Sequence, residues 1–393
     1  MGTAGKLVLA AIVLAVLAYF VPSLGIASAA PGASGCTPDR THAAGDFTQT
    51  IDSGGVARQF RLHVPPSYDG TARVPLVLLF HGAGSTDDGI STYTGFPDKA
   101  DEAGFIAVMP LGTVPQGLPL GRIFDHLTFI PGMPDDVAFV DDLLDKLEAQ
   151  LCIDPRRVYS TGFSNGGMFS VRLACDLGDR FAAIAPVAGV YYPPFAWQLA
   201  DVEPGCPSGP IPMLAIHGTN DQSVFFEGGP VFGSKALTIK PIETYVLPDW
   251  AAHNHCAGTP EQQPVTDHVR LVRYGGCEDD AIVQLYVIEG GMHVWPGALD
   301  LPAPDVNDDI DANDLIWDFF ERHPKPIAQP SVAQATPTPR PTAAVSGLPS
   351  TGVQAEHDGR LAVTVLLLAL ATVAITSGIW YTMRTRKREG KRR

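Results

Sequence analysis

The stretch VYSTGFSNGGMFSVRLAC, from Val158 to Cys175, places one serine between glycines where a β-branched and aromatic run gives way to a helical pattern. Ser164 is the centre of GFSNG, residues 162–166, which has the GxSxG form. Glycines two residues before and after a serine allow the sharp strand-to-helix turn that exposes a nucleophilic hydroxyl. The alternative is an ordinary glycine-rich turn, but the flanking strand and helix patterns favour a nucleophile.

An acid and a base for such a nucleophile follow in the chain. Asp221 comes a few residues after an apolar run in AIHGTNDQSV, where a carboxylate could orient an imidazole or simply cap a turn. His217 in the same segment fits a hydrogen-bonded structural role. His293 follows the last long strand pattern in IEGGMHVWPG, in a loop flanked by glycines. The chain order Ser164, Asp221, His293 is that of α/β-hydrolases.

The residues that would hold the negatively charged oxygen of a reaction intermediate lie in a second glycine-rich loop. LFHGAGST, ending at Thr86, follows an early strand pattern, and such a loop aims backbone N–H groups at a developing oxyanion. We predict Ala83 and Asn165 as the donors, with His81 orienting the loop. Trp295 is the candidate substrate-binding residue, as an aromatic wall of the site, although core packing explains it equally well.

No metal or cofactor is predicted. His253 and His255 suggest no third ligand nearby. The acidic stretch APDVNDDIDAND has the alternating oxygens of a calcium loop but lacks its central glycine and distal glutamate. Capping of the last helix by Asp309 or Asp311 is the simpler interpretation.

Alternating strand and helix patterns must position these residues. ARQFRLHVP follows the turn residues 53–55, which predicts an antiparallel hairpin, and the apolar runs VPLVLLF and FIAVMP are typical of strands buried on both faces. DDVAFVDDLLDKLEAQL has apolar residues at helical spacing. We therefore predict an α/β fold with a mostly parallel central sheet, helices on both faces and reactive groups at the carboxyl ends of the strands.

Composition limits the function classes. The chain of 393 residues is 45% hydrophobic, which suits a large core, and the part from residue 36 to residue 323 has the size of one α/β domain. Its formal net charge of −15 argues against nucleic acid as a partner, because no basic field exists to neutralise phosphates.

The start of the chain indicates export. A lysine, an apolar run and the small residues GIASAAP predict a signal peptide over residues 1–29, with an uncleaved membrane anchor as the alternative. Six cysteines in an exported chain favour disulfides over a metal site. Six cysteines allow fifteen pairings; Cys256–Cys277, which bracket a loop between a predicted helix and strand, is the first choice. The pairs Cys36–Cys152 and Cys175–Cys206 follow by elimination.

The end of the chain indicates surface anchoring. Residues 324–352 form a Pro- and Thr-rich stalk that ends in LPSTG. Residues 361–383 carry no charged side chain and are long enough to cross a membrane, and residues 384–393 are strongly basic, as expected of a cytoplasmic tail. This order resembles a sorting signal cut by a sortase, which would be a partner; a plain single-pass membrane anchor is the alternative.

The segments that carry the catalytic candidates together resemble the secreted feruloyl esterase and polyhydroxybutyrate depolymerase family. The resemblance rests on LCIDPRRVYSTGFSNGGMFSVRLACDLGDRFAAIAPVAGVYY, HGTNDQSV and GGMHVWPG, and runs from about Arg58 to His323. It implies an α/β-hydrolase fold and ester hydrolysis without a cofactor, and it adds support to the Cys256–Cys277 pair. Met292 stands where the family usually has a third glycine.

The sequence therefore predicts an extracellular serine esterase. Ser164 would be the nucleophile, His293 the base and Asp221 the orienting acid, and activity should fall as His293 takes up a proton near or somewhat below neutral pH. The favoured substrates are feruloyl or acetyl esters of plant cell-wall polysaccharide. A polyhydroxyalkanoate depolymerase and a non-catalytic surface adhesion module are the alternatives.

Overall fold

The computed structural model describes residues 36, 40–116, 120–127, 132–191, 206–231, 234–298 and 306–326. The predicted signal peptide, the stalk beyond residue 326, the LPSTG segment, the apolar C-terminal stretch and the basic tail lie outside these residues. Across the described ranges, no helix is both long and apolar enough to cross a membrane.

The described strands belong to one large sheet and one small hairpin. The strands are β1 (Gly45–Ser53), β2 (Val56–Val64), β3 (Val74–Phe80), β4 (Ile106–Pro110), β5 (Ile153–Phe163), β6 (Ala183–Val187), β7 (Met213–Gly218), β8 (Gly229–Val231), β9 (Ser234–Ile239), β10 (Glu261–Pro264), β11 (Val269–Tyr274) and β12 (Val283–Ile288). The large sheet has the order β1-β2-β4-β3-β5-β6-β7-β12-β11-β10, and β8 pairs with β9.

The middle of the large sheet is parallel and its edges are antiparallel. Strands β4, β3, β5, β6, β7 and β12 run in one direction, whereas β1 and β2 at one edge and β11 and β10 at the other are paired antiparallel. The predicted hairpin is confirmed as β1–β2, with Ser53 opposite Val56. The β8–β9 hairpin and β10 are not predicted from the sequence: β8 has only three residues, and β10 is EQQP, which has no apolar alternation.

Six α-helices lie among the described residues. They are α1 (Asp87–Thr94), α2 (Phe96–Ala103), α3 (Asp136–Gln150), α4 (Asn165–Asp176), α5 (Leu247–His253), which continues from a π-helical turn (Ile242–Val246), and α6 (Ala312–Arg322). Asp135 caps α3 by accepting hydrogen bonds from the N–H groups of Val137 and Ala138. Asp311 caps α6 in the same way, which confirms the simpler interpretation of the acidic stretch.

The two faces of the sheet carry separate apolar layers. Alternate residues of β3 point to opposite sides: Leu76, Leu78 and Phe80 join one buried cluster, and Val77 and Leu79 join the other. The first cluster contains the buried faces of α3, α4 and α5, and the second those of α2 and α6. This three-layer arrangement confirms the predicted α/β-hydrolase fold.

Three disulfides link segments of the domain that pack on or in its first core cluster. Cys256–Cys277, Cys36–Cys152 and Cys175–Cys206 are all present, as the sequence predicts. Closing loops of this kind stabilises a fold by restricting the unfolded chain, typically by about 2–4 kcal/mol for each bridge.

Candidate active site

Ser164 lies on a sharp turn between β5 and α4. Its backbone has φ 55° and ψ −116°, a conformation that costs energy for any residue other than glycine. The Ser164 N–H donates to the carbonyl oxygen of Val187, and the Ser164 carbonyl accepts from the N–H of Met168, so both sides of the turn are held. The strained turn places the serine at the carboxyl end of a central parallel strand, where the sequence predicted it.

The glycines around Ser164 are required by close backbone approach. A Cβ added at Gly162 would lie 2.5 Å from the carbonyl carbon of Gly166. A Cβ at Gly166 would overlap the carbonyl oxygen of Phe80, and one at Gly189 would overlap that of Ser164 itself. These contacts explain the GxSxG spacing physically, since any side chain at these positions would push the turn apart.

Asp221 and His293 are joined although they are far apart in sequence. Nδ1 of His293 lies 2.7 Å from Oδ2 of Asp221, and the carboxylate is completely buried. Burial by itself would raise the pKa of Asp221, but hydrogen bonds from His217 and His293 outweigh it and hold the pKa below its ordinary value. Asp221 is therefore ionised and can orient the imidazole.

Backbone contacts connect the loops that carry the acid and the base. The N–H of Thr219 donates to Ile288 O at 2.9 Å, that of Asn220 donates to Gly291 O at 2.8 Å, and that of Gly290 donates to Thr219 Oγ1 at 2.8 Å. Strands β7 and β12 are parallel neighbours, so their carboxyl-terminal loops leave the sheet side by side. The pairing of two adjacent strands thus sets the distance between acid and base.

The imidazole of His293 lies against the turn that carries the serine. Its ring centroid is 4.8 Å from that of Phe163, the residue before Ser164. Phe163 in turn contacts Tyr93 at 5.8 Å, and the Tyr93 hydroxyl accepts a hydrogen bond from the N–H of Trp295. Ser164, Asp221 and His293 each follow a parallel strand of the large sheet and therefore lie at the same edge of it.

The loop predicted to hold the oxyanion lies beside Ser164. A Cβ added at Gly82 would be 3.5 Å from Cβ of Ser164, and the next residue, Ala83, is exposed. Asn165 is the first residue of α4, where backbone N–H groups have no partner within the helix. The N–H groups of Ala83 and Asn165 remain our predicted donors.

The side chain of Asn165 has a role that the sequence did not indicate. Its Oδ1 accepts from the N–H of Phe124 at 2.8 Å, and its Nδ2 donates to Phe124 O and to Nδ1 of His126, both at 3.0 Å. The segment around Phe124 is thereby attached to the residue that follows Ser164. The GxSxG pattern does not specify the residue after the serine. The contact with the backbone of Phe124 can therefore be seen only in the folded structure.

Trp295 lies in the core and not in the substrate-binding surface predicted for it. Its side chain is 0% exposed, and its indole N–H donates to Asn313 Oδ1 at 3.0 Å. The ring packs edge-on against Phe96 at 6.4 Å. The alternative of core packing is therefore the one the structure supports, because apolar contact and a satisfied N–H both favour burial.

The candidate metal ligands are dispersed. His253 Nε2 lies 3.3 Å from Gly209 O, and His255 pairs with Glu278. Asp309 accepts hydrogen bonds from Thr266 and His268. Within the described ranges, no three His, Cys, Asp or Glu side chains are grouped so that they could hold a metal ion.

His81 joins the glycine-rich loop at residues 82–84 to the segment at Gly112. Its Nδ1 donates to Gly82 O at 2.8 Å, and its Nε2 accepts from the N–H of Gly112 at 3.0 Å. Burial lowers the pKa of His81 from 6.5 to about 4, so the ring is neutral at neutral pH. A neutral ring is also what the hydrogen bonds require, since Nε2 must offer a lone pair.

Acidification should therefore weaken the fold through His81. Because the folded-state pKa is about 4 and the ordinary value is 6.5, its contribution to stability is complete above pH 6.5 and is lost as the pH falls towards 4. The loss is at most about 3 kcal/mol. Urea unfolding of wild type and His81→Gln at pH 7.5 and pH 5 measures it. The variant should be less stable at pH 7.5 but lose less on acidification; an equal loss in both proteins would contradict the assignment.

Comparison with known proteins identifies an esterase family. A family model described as "Putative esterase" matches residues 53–285, which is more than half of the chain. The chain belongs to this esterase family. The esterase is 32% identical over 275 residues to the probable feruloyl esterase C of Aspergillus niger. The match covers 67% of this chain and 83% of that protein. It is 29% identical over 308 residues to feruloyl esterase D of Neurospora crassa, with 76% of this chain and 92% of that protein covered.

Among solved structures, the esterase is similar to an acetyl xylan esterase from Aspergillus awamori. The TM-score is 0.48 at 15% sequence identity, and the match covers 70% of this chain and 99% of that one. Membership of the family makes the protein a carboxylic ester hydrolase.

Proposed function

We propose that this protein is an extracellular serine esterase that hydrolyses feruloyl or acetyl esters of plant cell-wall polysaccharide through an acyl-enzyme. The observation that carries the proposal is the 2.7 Å contact between Asp221 and His293, with the His293 ring packed against the turn of Ser164. A strained serine, an imidazole and a buried carboxylate in this order are the parts that acyl transfer requires.

The first half of the reaction forms the acyl-enzyme. With Nδ1–H of His293 held by Asp221, the lone pair of Nε2 is free to take the hydroxyl proton of Ser164 as its oxygen attacks the ester carbonyl. The backbone N–H groups of Ala83 and Asn165 hold the negative charge on the tetrahedral intermediate. His293 then returns the proton to the leaving alcohol, and the carbon–oxygen bond to that alcohol breaks.

The second half repeats the steps with water. His293 takes a proton from a water molecule, which attacks the acyl carbonyl, and returns it to Ser164 as the acid leaves. The ionised carboxylate of Asp221 stabilises the imidazolium that forms in both halves. The low pKa of Asp221 keeps that charge in place throughout the pH range in which an imidazole titrates.

Export is supported by the disulfides and by the N-terminal segment. The three bridges use all six cysteines, and such bridges persist in oxidising compartments outside the cytoplasm. The LPSTG segment, apolar stretch and basic tail support attachment of the domain to the cell surface, by a sortase or as a single-pass anchor.

The names of the similar proteins support the substrate class, and a panel of esters tests it. Purified enzyme would be assayed on methyl ferulate, acetylated xylan and short poly(3-hydroxybutyrate) chains, with Ser164→Ala as the blank. We expect kcat/KM on methyl ferulate or acetylated xylan to exceed that on the polyester by at least about tenfold, the factor that corresponds to about 1.4 kcal/mol of transition-state binding. A preference for the polyester would favour a depolymerase. Binding of polysaccharide without hydrolysis of any ester would favour an adhesion module.

A further inference from the structure

A second histidine contacts the carboxylate of Asp221. His217 is the next-to-last residue of β7, and its side chain is completely buried. Its Nε2 lies 3.2 Å from Oδ2 of Asp221 and 2.8 Å from the carbonyl oxygen of Val224. Both of these neighbours are acceptors, so Nε2 carries a proton; it makes the shorter hydrogen bond to Val224 O, with Oδ2 of Asp221 next to it.

The other ring nitrogen of His217 fixes the protonation state. Nδ1 is buried and has no hydrogen-bond partner in the part of the chain that the structure describes. A proton on Nδ1 would be a buried donor without an acceptor, which is costly. The geometry therefore assigns a neutral ring with its proton on Nε2. The Phe226 ring, 6.1 Å away, provides an apolar neighbour.

The two oxygens of Asp221 have different partners. Oδ1 accepts from the N–H groups of Ser223 and Val224, both at 2.8 Å. Oδ2 is shared between His293 at 2.7 Å and His217 at 3.2 Å. The charged and titratable groups that act on this carboxylate are these two imidazoles. His217 and His293, the base of the proposed reaction, thus compete for the negative charge on the same oxygen of Asp221.

We propose that His217 is a positioning residue of this esterase, which holds Oδ2 of Asp221 towards His293 and moderates its negative charge. The inference rests on the proposed serine-esterase function. The Nε2–H of a neutral His217 lies 3.2 Å from Oδ2, and its attraction for that oxygen opposes rotation of the carboxylate away from His293. His217 also neutralises part of the negative charge of Asp221 that would otherwise stabilise protonated His293. The base therefore takes up a proton only at a lower pH than it would without His217.

Two substitutions separate this role from simple packing. His217→Leu fills the same buried space with an apolar side chain and removes the donor. His217→Gln places an amide N–H near the position of Nε2. For His217→Leu we expect kcat/KM on p-nitrophenyl acetate to fall about tenfold, because the ionised carboxylate of Asp221 loses a donor. The midpoint of the acid limb of the kcat/KM profile should move up by about half a pH unit. His217→Gln should keep the wild-type midpoint.

A merely structural histidine gives a different result. It would lower the temperature of unfolding in both variants and leave the midpoint of the acid limb where it is in the wild type. An unmoved midpoint in folded His217→Leu, or a midpoint that moves down, would overturn the proposal.

A measurement on the wild-type protein does not depend on the variants folding. With ¹⁵N-labelled histidine, the NMR signals of His217 should show a protonated Nε2 and an unprotonated Nδ1 at neutral pH, and the Nε2 proton should shift when acid protonates His293. A proton on Nδ1, or a His217 signal that ignores the state of His293, would overturn the proposal.

The two proposals fail in different ways. If wild-type enzyme released no p-nitrophenol, or Ser164→Ala released as much, the serine-esterase function would be wrong, while the NMR signals would still report the contact between His217 and Asp221. If the wild type were active and dependent on Ser164 but the NMR signals or pH profile did not respond as described, only the role of His217 would be wrong.

Discussion

Replacing Ser164 by alanine should reduce kcat/KM by about 10⁵- to 10⁶-fold while leaving the fold intact. The substitution removes the oxygen that attacks the ester, and neither His293 nor the backbone N–H groups can replace it. Stability should change little or rise, because Ser164 is 3% exposed and its strained backbone is set by the flanking contacts and not by the hydroxyl. Hydrolysis of p-nitrophenyl acetate and thermal unfolding measure the two effects.

Ser160 provides the matched control. It lies on the same strand, is fully buried, and its hydroxyl has no hydrogen-bond partner within the described residues. Ser160→Ala should keep wild-type activity, and its stability should be unchanged or slightly increased, since an unsatisfied buried hydroxyl is lost. If Ser164→Ala kept more than about one-hundredth of wild-type activity while Ser160→Ala behaved normally, Ser164 would not be the nucleophile.

The sequence predicted the parts of the site whose geometry is determined by residues close to them in the chain. The glycines around Ser164 are required by close backbone contacts within the turn, so these residue types alone predict the turn. Asp221 and His293 each follow an apolar strand, and the carboxyl ends of parallel strands share one edge of the sheet. The disulfide between Cys256 and Cys277 joins the two ends of a chain segment that folds back on itself as the antiparallel pair β10–β11.

The parts that the sequence missed depend on contacts between distant segments. Nothing near Asn165 indicates that its side chain holds Phe124, forty-one positions earlier. Trp295 is only two residues from His293, yet the chain direction after the histidine sends its ring into the core. His217 was assigned a structural role, because four residues of separation on a strand end do not reveal that its ring turns back to Asp221. For Trp295, proximity to His293 in sequence was misleading. For His217, proximity to Asp221 in sequence was not enough to predict the contact between them.

Asp221→Asn should reduce kcat by about 10³- to 10⁴-fold through the wrong tautomer of His293. The backbone N–H groups of Ser223 and Val224 point at Oδ1, so an asparagine must place its oxygen there and its NH₂ group at the position of Oδ2. That NH₂ would face Nδ1 of His293, which must then offer a lone pair and carry its proton on Nε2. A protonated Nε2 cannot accept the proton of Ser164. Steady-state kinetics on p-nitrophenyl acetate measures the loss.

Asp309 is the matched control, because it makes the same kind of contact outside the site. Its Oδ2 lies 3.0 Å from Nδ1 of His268 on the surface. Asp309→Asn should leave kcat unchanged, since an exposed pair contributes little and lies outside the reaction. A loss of less than about tenfold in Asp221→Asn, with the fold intact by circular dichroism, would mean that the carboxylate does not set the tautomer of His293. In that case the buried charge of Asp221 would serve the fold rather than the chemistry.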